Sequence, residues 1–72
     1  MWAMWRDGAH LECVLVDFGA HGVRVLVRRD GEWVLTRTCP AEAFAYAEVY
    51  ALHEEYLREG WCDRPAEHGR RV

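Results

Sequence analysis

Asp30-Gly31 lies between two apolar runs, 23–29 and 32–38, and in that setting this dipeptide is the strongest short-range signal for a two-residue hairpin turn. Fixing the turn sets the pairing outward from it. Arg29 comes to face Glu32, Arg28 faces Trp33, Val27 faces Val34, Leu26 faces Leu35, Val25 faces Thr36 and Arg24 faces Arg37. If the preceding loop is Gly19 to Gly22, Phe18 pairs with Val23, Val16 with Val25, Leu15 with Leu26 and Cys13 with Arg28. Side chains alternate along a strand, so Phe18/Val23/Thr38, Val16/Val25/Thr36 and Val14/Val27/Val34 share one surface, the expected core. The other face carries Asp17/Arg24/Arg37, Leu15/Leu26/Leu35 and Cys13/Arg28/Trp33.

Strands are thus expected at 11–18, 23–29 and 32–38, after an aromatic N-terminal arm or strand stub at 1–10 with a turn at Asp7-Gly8. A helix follows. Cys39-Pro40-Ala41-Glu42 reads as its start, with Cys39 at the cap, proline at the first helical position and Glu42 where a capping glutamate belongs. Gly60 reads as its left-handed stop, with Trp61 placed to pack back on Tyr56 or its neighbours. On the helical wheel Ala45, Val49, Leu52 and Tyr56 form the apolar stripe, widened by Tyr46, Tyr50, His53 and Leu57. The fold class is α+β: a three-stranded antiparallel sheet followed by one long helix packed on one face. The β-β-β-α domain covers 11–61, and 62–72 is expected to be a flexible tail.

Seventy-two residues allow one domain and one modest core. The three cysteines, Cys13, Cys39 and Cys62, are an odd and scattered set with no signal peptide ahead of them, which suits reduced thiols in the cytoplasm. The apolar start is too short to span a membrane. Net charge is −3, against a general polyanion binder, yet all nine basic residues are arginines and four of them, Arg24, Arg28, Arg29 and Arg37, fall on the second and third strands.

The mixed face is the candidate working surface: Leu15, Arg24, Leu26, Arg28, Trp33, Leu35 and Arg37. Arg24 opposite Arg37 is a like-charge pair that calls for a nearby anion. The leucine row would leave an apolar strip of the kind that marks contacts, unless Trp2 and Trp5 fold back over it. His10 and Cys13 are a single close ligand pair, and Cys39, Cys62 and His68 do not complete a zinc spacing, so no metal or other cofactor is expected. No cysteine is spaced to meet a histidine and an orienting acid, and no enzyme activity is expected. His53 reads as a half-buried packing residue and His21 as a positive-φ turn residue. The expected partner is a second copy of the chain, as a homodimer, or another protein, with nucleic acid as the alternative.

Two resemblances bear on this reading. Gly31-Glu32-Trp33 followed by Glu42-Ala43 resembles the three-stranded-sheet-plus-helix DNA-binding module of plant Apetala-type factors and tyrosine-recombinase arm domains. That resemblance implies a sheet face set in the major groove, with Arg24, Arg28, Trp33 and Arg37 as readers. Trp61-Cys62-Asp63-Arg64-Pro65 is similar to the tail of the MbtH-like proteins that assist nonribosomal peptide synthetases, one residue short before Arg64. The layout also looks like that of many short uncharacterised bacterial proteins with a Glu-Ala helix start and a Gly-Trp helix end.

Overall fold

Two Asp-Gly turns, not one, organise the sheet. In the computed structural model, which describes residues 1–64, Asp7 and Gly8 have φ of 51° and 83°, and Asp30 and Gly31 have 50° and 90°. Positive φ at both central residues matches the right-handed twist of the flanking strands. The first turn joins β1 (Trp2–Arg6) to β2 (Ala9–Asp17), and the second joins β3 (Val23–Arg29) to β4 (Glu32–Cys39). One α-helix among the described residues, α1 (Glu42–Arg58), follows. The fold is α+β as expected, but the sheet has four strands in the order β1-β2-β3-β4, because the aromatic segment expected as an arm or strand stub is a full edge strand. The two turns are also tied together: the His10 amide donates to Asp30 Oδ1 at 2.9 Å and the Asp30 amide donates to the His10 carbonyl at 2.8 Å.

The register departs from the expected one in two places. Asp17 pairs with Val23, so the loop is 18–22 rather than 19–22. Asp17 Oδ1 accepts the Gly19 amide at 2.7 Å, Gly19–His21 form a 3-10 turn, and the Phe18 amide donates to the Gly22 carbonyl. Phe18 therefore belongs to the loop and β2 is shifted by one residue, which turns every one of its side chains over. Positive φ falls on Gly19 and Gly22 and not on His21. The second departure is a bulge in β4: Trp33 stays opposite Arg28, but Leu35, not Val34, lies opposite Val27. From there Leu26 faces Thr36, Val25 faces Arg37 and Arg24 faces Thr38.

The core follows from this register. Met4 of β1, Leu11 and Cys13 of β2, and Val23, Val25 and Val27 of β3 are buried against Ala45, Val49 and Leu52 of α1, with Trp61 closing one end. The helix stripe is the expected one and Tyr56 joins it half-buried, whereas Val14, Val16, Val34, Phe18, Thr36 and Thr38 lie outside the core. At about 1.5 to 3 kcal/mol for each large apolar side chain buried, Met4 and Leu11 matter as much as the valines.

Both helix ends are set by backbone chemistry. Cys39 is the last residue of β4, buried and paired with Val23, so it cannot cap the helix; Ala41 takes that place with no side-chain hydrogen bond. At the far end Gly60 adopts φ of 98°, its amide donates to the Leu57 carbonyl at 3.1 Å, and the Trp61 amide donates to the Tyr56 carbonyl at 3.0 Å. This is the double hydrogen-bonded C-terminal cap, and the accompanying apolar contact is present as the Tyr56–Trp61 edge-to-face pair at 6.3 Å. Cys62, expected in the tail, instead exchanges two backbone hydrogen bonds with Trp5 and covers part of the β1 edge. The remainder of the expected tail, 65–72, lies outside the described residues.

Gly22 holds the β2–β3 connection. Its φ of 96° with ψ of −172° is open to glycine alone, and a Cβ there would stand 2.7 Å from the Cys39 carbonyl oxygen. Gly22→Ala is expected to cost about 3 kcal/mol, because strained backbone and a backbone collision act together. Urea denaturation checks this, and a midpoint equal to that of the parent would refute it.

Candidate functional site

The sheet face turned away from α1 is the candidate site, and it is built from alternate residues of all four strands. One row carries Ala3, Glu12, Arg28 and Trp33, the next Val14, Leu26 and Thr36, and the third Val16, Arg24 and Thr38. Toward the first hairpin, Trp5 and His10 pair across the strands with ring centroids 5.1 Å apart. Charged and aromatic groups thus sit at the two ends of the face with an apolar strip between them.

Each end has its own electrostatics. Arg28 directs both Nε and Nη2 to Glu12 Oε1, the Nε bond being 2.9 Å, and its guanidinium lies 5.2 Å from the Trp33 ring. These hydrogen bonds lower the Glu12 carboxyl below the usual carboxylate range, more than desolvation raises it. Arg28 is therefore neutralised within the chain. Arg24 stacks 4.9 Å from the Phe18 ring and makes no ion pair among the described residues. It is the arginine of this face whose charge remains available.

The seven residues expected on one surface are divided between two. Arg24, Leu26, Arg28 and Trp33 share the open face. Leu15 and Leu35 belong to the rows of Val25 and Val27 and pack half-buried against the core, because of the longer loop and the bulge respectively. Arg37 shares their side and pairs with Glu48 of α1. The leucine row does not exist, and Arg24 never opposes Arg37. In place of the missing leucines the face gains Val14, Val16 and the loop residue Phe18, of which Val16 is 37% and Phe18 46% exposed. Asp17 two residues ahead of Gly19 is the signal that could have found them: an Asx turn starting at Asp17 ends the strand one residue sooner.

Trp2 and Trp5 do not cover the apolar strip. Trp2 lies on the helix side, where its Nε1–H donates to the Val49 carbonyl at 3.1 Å and its ring meets Tyr56 and His53 edge-on. Trp2 also forms one wall of a cleft of about 360 Å³ between β1 and α1, lined by Met1, Tyr46, Val49, Tyr50 and His53. His53 is half-buried there, with Nε2 2.7 Å from Asp63 Oδ1.

Cys13, Cys39 and Cys62 are free thiols, the first two buried, and burial pushes the Cys13 thiol up to about 11. Among the described residues no group of three His, Cys, Asp or Glu side chains is placed to hold a metal ion. His68 lies outside them. No described helix is long and apolar enough to cross a membrane. No family model matches the chain, and no curated protein or solved structure is detectably similar to it.

Proposed function

We propose that this chain is a small non-enzymatic interaction module that uses the open sheet face for protein contact, in the first place with a second copy of itself. The observation that carries the reading is the strip Val14–Leu26 with Val16, half-buried at Val14 and Leu26 and 37% exposed at Val16, bordered by Trp33 at 55% and Phe18 at 46% exposure. A contiguous apolar surface rimmed by charge is the usual mark of a protein contact. The three free thiols suit a reducing compartment, and a cytoplasmic location belongs to this proposal.

The charges favour protein over nucleic acid as the partner. Arg28 is matched by Glu12, Arg37 is matched by Glu48 on the other side of the sheet, and the net charge is −3. A duplex reader of the Apetala type needs several uncompensated cations on one face to bind phosphates. Arg24 alone supplies little of that.

Leu26→Glu is expected to leave the core intact and to weaken association at least about tenfold, because it sets a charge in the middle of the strip. Arg24→Ala is expected to change affinity only a few-fold and chiefly to reduce its salt dependence, as a rim charge does. Sedimentation of both variants beside the parent, with a duplex titration at two salt concentrations, tests the proposal. An unchanged mass for Leu26→Glu, or a duplex affinity that falls mainly with Arg24→Ala, would overturn it.

A further inference from the structure

The two edges of the sheet are treated differently. β1 is bridged by Cys62, whereas β4 has one neighbour, β3, and its outward row of backbone N–H and C=O groups meets no other strand among the described residues. Such a row is a template for a further strand. Bulges and charges often blunt an edge, and β4 has both, in the bulge at Val34 and in Glu32 and Arg37.

Their placement, however, makes the edge complementary to itself. In an unbroken strand, residues an odd number apart point to opposite faces. The extra residue of the bulge brings Glu32 and Arg37 back to one face. Glu32 pairs with Arg29, whose guanidinium lies 5.4 Å from the buried Trp61 ring on the helix side, and Arg37 on that same side engages Glu48. Trp33 and Thr36 likewise share the open face, opposite Arg28 and Leu26. Read in the two directions, 32–37 therefore presents the same sequence of faces at its outer four positions, with an acid at one end and a base at the other. Among the described residues Glu32 makes no ion pair.

We infer that β4 pairs antiparallel with β4 of a second copy of this chain, about a two-fold axis between Val34 and Leu35. Each Glu32 then faces Arg37 of the other copy, and each Trp33 faces Thr36. The Arg37 guanidinium carries five N–H donors, enough to serve Glu48 and the incoming carboxylate together. The pairing covers Val34, which is 53% exposed, and brings the second copy beside Phe44, which stands one helical turn ahead of Glu48 and is 62% exposed. The product is one continuous eight-stranded sheet with both helices on one side. The open faces lie side by side on the other, so this contact goes beyond the face contact and does not require it. With both contacts the closed assembly holds four copies; with the edge alone it holds two.

Sedimentation equilibrium of the full chain from low micromolar to millimolar concentration tests the edge. E32R makes all four facing charges positive and leaves the Arg37–Glu48 pair intact; R37E makes all four negative. Each is expected to weaken the edge contact about tenfold or more, since two attractive cross-strand pairs become repulsive. An equimolar mixture of E32R and R37E is expected to recover association, because every facing pair is then of opposite sign. Circular dichroism establishes that each variant is folded, and E32R is decisive by itself should R37E unfold. A parent that stays monomeric throughout, E32R that associates as the parent does, or a mixture of two folded variants that fails to recover would overturn the inference. Association lost in Leu26→Glu but unchanged in E32R sinks the edge and leaves the face; the converse sinks the face and leaves the edge.

Discussion

Val25→Asp is expected to abolish cooperative folding. Val25 lies in the central region of the sheet, fully buried, between Leu15 and Arg37 in its row and under the apolar stripe of α1. A carboxylate there would have no hydrogen-bond donor built to receive it: Arg37 is the nearest cation by register, but its guanidinium is already engaged by Glu48. An unpaired buried carboxylate costs several kcal/mol even after relaxation, or is held protonated at comparable cost. A chain of this length holds roughly 4 to 10 kcal/mol in total, so a single such change removes most of it. Thermal and urea unfolding followed by circular dichroism measure the effect. A Val25→Asp chain with a sharp transition near that of the parent would mean that this face of β3 is not the core.

Met4→Ala is the second large effect, and it separates a strand from an arm. Met4 is completely buried and belongs to the same cluster as Leu11, Val27 and Trp61. Its truncation is expected to cost about 2 to 5 kcal/mol, the lost transfer energy plus the cavity left behind. The rest of β1 is anchored as well: Trp2 donates to the Val49 carbonyl, Arg6 Nη1 donates to the Glu59 carbonyl at 2.7 Å, and Trp5 exchanges backbone hydrogen bonds with Cys62. If residues 1–10 were an appended arm, Met4→Ala would leave the unfolding midpoint where it was. A midpoint within error of the parent's would remove β1 from the cooperative unit.

Much of the chain is legible from local chemistry. Asp30-Gly31 sets the β3–β4 hairpin, and Asp7-Gly8 marks a second turn of the same kind. The spacing of Ala45, Val49, Leu52 and Tyr56 gives the buried side of α1, while Gly60-Trp61 gives its end down to the aromatic contact. Each of these signals is local in the chain, a turn dipeptide, a helical period or a glycine cap, and each agrees with the packed fold. The short run Trp2–Arg6 offers too weak an alternation to distinguish a strand from an arm. Its partner β2 supplies the missing evidence, through the pairs Trp2–Cys13 and Met4–Leu11.

The candidate face was harder to read because face assignment depends on parity. One residue gained in the 18–22 loop and one gained at Val34 each reverse the side on which everything beyond them lies. Arg24, Leu26, Arg28 and Trp33 stay together because they are counted from the Asp30-Gly31 turn across pairs the reversals do not separate. Leu15, Leu35 and Arg37 lie beyond a reversal and cross to the helix side. Valine and leucine are equally at home in a core, so β2 offers Val14 and Val16 on one parity and Cys13 and Leu15 on the other with little to choose between them.

The sequence by itself determined the class of fold, the two glycine turns, the helix with its buried stripe and its C-terminal cap, and the location of arginine and tryptophan on the β3–β4 hairpin, because each follows from turn chemistry or local periodicity. Only the tertiary structure decided that the sheet has a fourth strand, which of two equally apolar parities in β2 is buried, and which arginines keep an uncompensated charge. Those outcomes rest on contacts between residues far apart in the chain: Met4 with Leu11 and Trp61 in one core, Arg37 with Glu48, and Arg28 with Glu12. A shift of one residue decides among them, and its energy is settled by the packed whole rather than by any segment of it.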